Sequence, residues 1–101
     1  MAGPSRPSAD YPLRRRYGAT VTVALSTTSA SSASLAQGEY LVSASAVWFF
    51  AHSSGPATTS DFRLSSGATI EVWSEGASSG SDVISGILAS GTGTMYITQV
   101  L

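Results

Sequence analysis

Glu39-Tyr-Leu-Val-Ser-Ala-Ser-Ala-Val-Trp-Phe-Phe-Ala51 is the stretch that decides the fold. Every second residue along it belongs to one set: Tyr40, Val42, Ala44, Ala46, Trp48 and Phe50. Leu41, Ser43, Ser45, Val47 and Phe49 fall on the other side. A period of two is the pattern of a pleated strand, whose successive side chains point to opposite faces. The run predicts one long strand over 39–51. Phe49 lies opposite Trp48 and Phe50, so both faces of its far end are apolar.

The same period extends in both directions. Val21, Val23 and Leu25 alternate with Thr20, Thr22 and Ala24, which predicts a half-buried strand from Ala19 onward. A weak Ser/Ala strand over 29–35 is closed by Leu35, and shorter strands are expected at 61–64, 68–73, 82–89 and 94–100. β-Branched residues and glycines interrupt every window in which a helix might compete. About seven or eight short strands with Gly/Ser turns predict an all-β domain, a small antiparallel β-sandwich or jelly-roll-like barrel. Leu35-Ala-Gln-Gly38, Leu64-Ser-Ser-Gly67 and Leu88-Ala-Ser-Gly91 repeat one local pattern. Each reads as a hairpin turn, with leucine ending a strand in the core and glycine supplying a positive φ.

The chain changes character near Tyr17. Residues 1–17 form an arm with Pro4, Pro7 and Pro12, which remove backbone donors and point to an extended segment rather than a helix or central strand. The arm carries Arg6, Arg14, Arg15 and Arg16 against Asp10, a formal charge of about +3. Residues 18–101 are the β-domain and carry Arg63 against Glu39, Asp61, Glu71, Glu75 and Asp82, about −4. Tyr11, Leu13 and Tyr17 sit among the arm's charges, where a purely solvated tail would not need them. A basic tether on a mildly acidic body reads as something that attaches to a larger surface.

Size and composition narrow the classes further. Subtracting the arm leaves 84 of 101 residues for the domain, too few to bury a generous core. No cysteine is present and His52 is the lone histidine, so neither a disulfide framework nor a His/Cys metal cluster is expected. Oligomerisation or docking on a partner is the remaining source of stability. The chain contains no Lys and no Asn beside abundant Ala, Gly, Ser and Arg. That bias fits GC-rich coding and weakens any inference that arginine replaced lysine for its bidentate geometry. No run reaches the length of a membrane helix, and the first arginines precede no continuous apolar core of a signal peptide. No membrane partner is expected.

Chemistry finds few footholds. Ser53, His52 and Asp61 could compose a Ser–His–Asp set, but serine is common here and no Gly-x-Ser-x-Gly elbow supports it. His52 reads as a solvated loop residue. The carboxylates at 39, 61, 71, 75 and 82 read as solubility and edge protection rather than a glycosidase pair. Gly76 to Gly80 and Gly91 to Gly93 lack the lysine and following helix of a phosphate loop and read as turns. No enzyme activity, cofactor or metal is expected. Arg14 to Arg16 could neutralise nucleic-acid phosphates, but the acidic body would oppose a polyanion, so a carboxylate-bearing protein partner is preferred. The aromatics carry the stronger signal: Trp48, Phe50, Trp73 and Tyr96 are the candidate interface, a residue class enriched where proteins meet. A sugar-stacking platform is the further reading of the same rings.

Four stretches resemble the small β-proteins of tailed-bacteriophage virions: Ser34-Leu-Ala-Gln-Gly-Glu-Tyr-Leu-Val-Ser-Ala, Ala57-Thr-Thr-Ser-Asp-Phe, Gly67-Ala-Thr-Ile-Glu-Val and Gly91-Thr-Gly-Thr-Met-Tyr-Ile-Thr. Similar phrasing occurs in head decoration (cement), minor capsid and head-fibre proteins, over about residues 19–101. The resemblance implies a non-catalytic β-sandwich or jelly-roll protomer, commonly a homotrimer, on the outer capsid surface with the major capsid protein as partner. It also implies that terminal arms fasten shell subunits. Here that role would fall to Arg6, Tyr11, Leu13, Arg14, Arg15, Arg16 and Tyr17. A tail, neck or head-fibre accessory protein and a carbohydrate-binding β-module are the alternatives.

Overall fold

The computed structural model describes residues 16–52, 56–76 and 82–101. Eight strands follow one another: β1 (Tyr17–Leu25), β2 (Ala30–Ser31), β3 (Gly38–Ala44), β4 (Trp48–His52), β5 (Phe62–Leu64), β6 (Ile70–Ser74), β7 (Ile84–Ile87) and β8 (Gly93–Val100). They form two four-stranded sheets, β1-β8-β3-β6 (sheet I) and β2-β7-β4-β5 (sheet II), with every pairing antiparallel. The first half of the chain pairs with the second half in reverse. Val21 meets Ile97, Ala30 meets Gly86, Tyr40 meets Val72 and Phe50 meets Phe62. The chain is thus one long two-stranded ribbon, its tip between β4 and β5, rolled so that alternate segments fall in opposite sheets. This is the jelly-roll arrangement. The all-β sandwich expected from the sequence is the observed fold.

Two sequence readings are corrected. The run 39–51 is not one strand. β3 ends at Ala44 in sheet I, and β4 starts at Trp48 in sheet II. The corner is held at Ser45, whose N–H donates to Thr94 O (2.9 Å) and whose Oγ accepts the Thr94 N–H (3.0 Å). The Leu-x-x-Gly segments are turns, as read, but not hairpins. They mark the three crossings from sheet II back to sheet I: β2 to β3, β5 to β6 and β7 to β8. Gly38, Gly67 and Gly91 have φ of 150°, 79° and 79°, values that L side chains rarely adopt. Leu88 is buried, and Leu35 and Leu64 pack against the core.

The inner faces of both sheets meet in one core of Leu25, Tyr40, Val42, Ala44, Trp48, Val72, Ile84, Leu88, Met95 and Ile97. Trp48 is fully buried, with Phe50 edge-on to it at 5.6 Å between ring centroids. Gly86 on β7 lies against the indole: a Cβ there would meet Trp48 Cε3 at 2.7 Å. The large ring therefore fits because the neighbouring strand of the same sheet has no side chain at that position. On the outer side of sheet II, Ala51 and Ser85 are also buried. The β4–β5 connection reaches back to the start of β2, where the Ala57 N–H donates to Ser29 Oγ (3.0 Å).

Candidate contact surface

Among the described residues the outer face of sheet I carries three exposed aromatics, Tyr17, Trp73 and Tyr96, while a fourth, Phe62, lies on β5 of sheet II. Alternation turns Val72, Met95 and Ile97 inward, and their neighbours Trp73, Tyr96 and Thr98 must therefore face out. Strand register arranges the outward side chains in rows. One runs Tyr17, Val100, Glu39, Trp73, and the next Thr20, Thr98, Leu41, Glu71. A third holds Thr22, Tyr96 and Ser43. Trp73 is 54% exposed, Tyr17 50% and Tyr96 39%. Between them stand threonines, with Thr20 Oγ1 and Thr98 Oγ1 sharing a hydrogen bond at 2.7 Å. Rigid rings on a sheet, separated by small polar groups, suit burial against another surface at little cost in side-chain entropy.

The expected interface residues therefore divide. Trp73 and Tyr96 lie on this face. Trp48 and Phe50 do not: Trp48 is 0% exposed and Phe50 packs beside it, so their role is core packing. Tyr17, grouped with the arm on sequence, is the first residue of β1 and pairs with Val100. Arg16 is exposed, and its carbonyl accepts the Leu101 N–H at 2.8 Å. Arg6, Tyr11, Leu13, Arg14 and Arg15 lie outside the described residues. The alternation in the sequence already sets Glu71 on the face of Trp73, as observed; what sequence reading missed is that Glu39 joins them there. The signal was present, since Glu39 is an even number of residues from an outward neighbour, Leu41.

A second concave feature opens at the β1 edge of the sandwich. Ala19, Val21, Tyr40, Ile97 and Gln99 of sheet I face the 32–36 segment across a cleft of about 220 Å³. Val21 points inward yet is 57% exposed, because β2 is too short to cover it. Tyr40 closes the cleft's floor, its hydroxyl donating to Ala36 O at 2.8 Å. Burial, with a smaller contribution from the Asp82 charge, raises its pKa above the ordinary 10.0.

The polar network near His52 differs from the sequence expectation. His52 ends β4 rather than sitting in a loop, and its partner is Asp82, not Asp61. Nε2 and Asp82 Oδ1 are 2.7 Å apart, though not aligned as a hydrogen bond. Asp82 is 4% exposed and accepts from Ser74 Oγ (2.9 Å) and the Glu75 N–H (2.6 Å). Its carbonyl accepts the Leu35 N–H (2.9 Å). Asp82 is a buried lock between the two sheets rather than a solvated carboxylate. The serine here bonds the aspartate and not the histidine, so the Ser–His contact of a Ser–His–Asp set is not formed at this serine. Asp61 instead accepts from the Thr58 N–H (2.7 Å) in the turn before β5. Ser53 lies outside the described residues. Among the described residues no group of three or more His, Cys, Asp and Glu could hold a metal ion. No protein-family model, curated protein or solved structure matches the chain.

Proposed function

We propose that the chain is a structural virion protein of a tailed bacteriophage, a decoration or cement protein that binds the outer capsid surface and associates with itself, as a homotrimer. The observation that carries the reading is the outer face of sheet I, which presents Tyr17, Trp73 and Tyr96 beside the point where the basic arm leaves the domain. The mechanism is additive. The aromatic face supplies contact area to a neighbouring protomer or to the major capsid protein, and the arm's arginines pair with acidic capsid groups. Several such contacts within one assembly multiply into tight attachment without any one being strong.

Shell decoration tests the proposal. Full-length protein should occupy capsids to saturation, and removal of residues 1–15 should abolish binding while the circular dichroism of the body is kept. Wild-type occupancy by the shortened chain would refute the fastening role. Virion mass spectrometry separates a shell protein from a tail or neck component by copy number.

Trp73 also favours a second reading, a carbohydrate-binding module, because an exposed indole on a sheet face offers a sugar ring a surface to stack on. Glycan binding that disappears in Trp73→Ala would support that reading over the first. Capsid binding with no glycan binding would exclude it.

A further inference from the structure

We propose that the outer edge of β1 is a self-association site, on which β1 of a second copy of this chain pairs antiparallel about a two-fold axis at Thr22. β1 is an end strand of sheet I, with β8 as its ladder partner. Along its other side it presents a row of backbone N–H and C=O groups, a template for one more strand. Folded proteins blunt such edges with charge, proline or a covering element. β1 holds neither a charged residue nor a proline. Its register with β8 is irregular only between Tyr17 and Thr20, which leaves Thr20–Leu25 in unbroken pairing. Across the cleft β2 is two residues long, so Ala19 and Val21 stay exposed on the inner face, Val21 by 57%.

Charge selects the occupant. Residues 18–101 carry about −4, so two copies repel unless they meet where that charge is absent. Every charged side chain of the β-domain lies between Glu39 and Asp82, and residues 17–38 and 83–101 have none. β1, β2, β7 and β8 are therefore neutral, and an acidic or basic partner would find nothing to pair with at this edge. A second copy meets no opposition there. Opposed residues of an antiparallel pair share a face, so the axis passes through a residue. With Thr22 on the axis, Val21 meets Val23 of the second copy twice over, and the two Thr22 side chains face each other on the outer side. The valines then cover one another above the cleft, and the threonines can hydrogen-bond. The two Arg16 residues fall at opposite ends of the ladder, about 40 Å apart at about 3.3 Å per residue. The pairing is independent of the virion and glycan readings: a two-fold joins chains in pairs, so beside a trimer it links one trimer to the next.

Light scattering on the full chain is the test. Wild type should run as an even number of chains. Thr22→Lys sets two ammonium groups face to face on the axis and should halve the mass while the circular dichroism of the body is kept. Thr22 is exposed, so the change does not reach the core. Thr22→Asp should halve the mass as well, and mixing the two variants should restore it, because lysine then meets aspartate. The absence of cysteine makes Thr22→Cys unique. Mild oxidation should link it into a disulfide-bonded pair, whereas Thr98→Cys, one strand further in, should stay unlinked. A monomer or an odd number of chains would overturn the proposal and leave the edge to a strand of another protein. Unchanged mass in both charged variants, or no recovery on mixing, would overturn it too.

Discussion

Gly86→Ala is the sharpest test of how the core is built. Gly86 is buried on β7, an interior strand of sheet II, with Trp48 pressed against it. The new methyl would lie 2.7 Å from Trp48 Cε3, 2.9 Å from Cζ3 and 3.0 Å from Leu25 Cδ2. Ordinary contact begins at 3.4 Å, so a rigid, fully buried ring has to retreat or the sheets have to part. Overpacking of this kind costs about 1–3 kcal/mol, and the rigid indole places it near the top of that range. Replacing a strand glycine returns about 0.5–1 kcal/mol of backbone entropy. The net loss is about 2–2.5 kcal/mol, which for a domain of this size lowers Tm by about 8–20 °C. Thermal unfolding followed by near-ultraviolet circular dichroism reads both the loss and the displaced indole. In a Leu25→Ala background the added cost of Gly86→Ala should shrink, because one of its three neighbours has gone. An unchanged or raised Tm with an unchanged indole spectrum would refute the close fit.

Trp48→Ala should cost about 3–5 kcal/mol and unfold much of the population, whereas Trp73→Ala should change stability by less than about 0.5 kcal/mol. Chemical denaturation of the two variants checks the contrast. Asp82→Asn should cost about 1.5–3 kcal/mol, since the carboxylate's charge strengthens its bonds to Ser74 and Glu75; an unchanged denaturation midpoint would contradict its place as the lock between sheets. Tyr40 has its pKa raised above 10.0 in the folded state. Below that pH both states hold the phenol proton. Above it the unfolded chain ionises first, so stability falls as pH rises until the native phenol ionises too. Tyr40→Phe should make that alkaline decline shallower, as measured by urea midpoints across an alkaline series.

Alternation made most of this fold legible. Tyr40, Val42, Ala44, Ala46, Trp48 and Phe50 all face the core, as the period of two requires. The same regularity concealed the corner at Ser45. Both sheets present their inner faces to one core, so the pattern runs unbroken through a change of sheet, and no glycine or proline punctuates 45–47. Leu-x-x-Gly was visible as turn chemistry, but a local pattern does not say which sheet the next strand joins. At the candidate surface, alternation alone turned Trp73 and Tyr96 outward. It put Trp48 on the inner face but could not tell that the indole is covered completely there, because that depends on Gly86, distant in sequence and adjacent in space. Asp82 was hidden for the same reason, its partners coming from β4, the end of β6 and the segment after β2.

The β1–β8 pairing carries a mechanical consequence. Arg16 and Leu101 leave the domain at the same end of two neighbouring antiparallel strands. Tension applied between those points peels β1 from β8 one residue pair at a time, so the load never falls on many hydrogen bonds together. Tension between Arg16 and Gly93, at opposite ends of the same strand pair, instead shears its hydrogen bonds together. A tether at this corner yields gradually or holds firmly according to where the body is gripped. Single-molecule pulling should find a lower rupture force for Arg16 against Leu101 than for Arg16 against Gly93; equal forces would show that strand geometry does not govern the response.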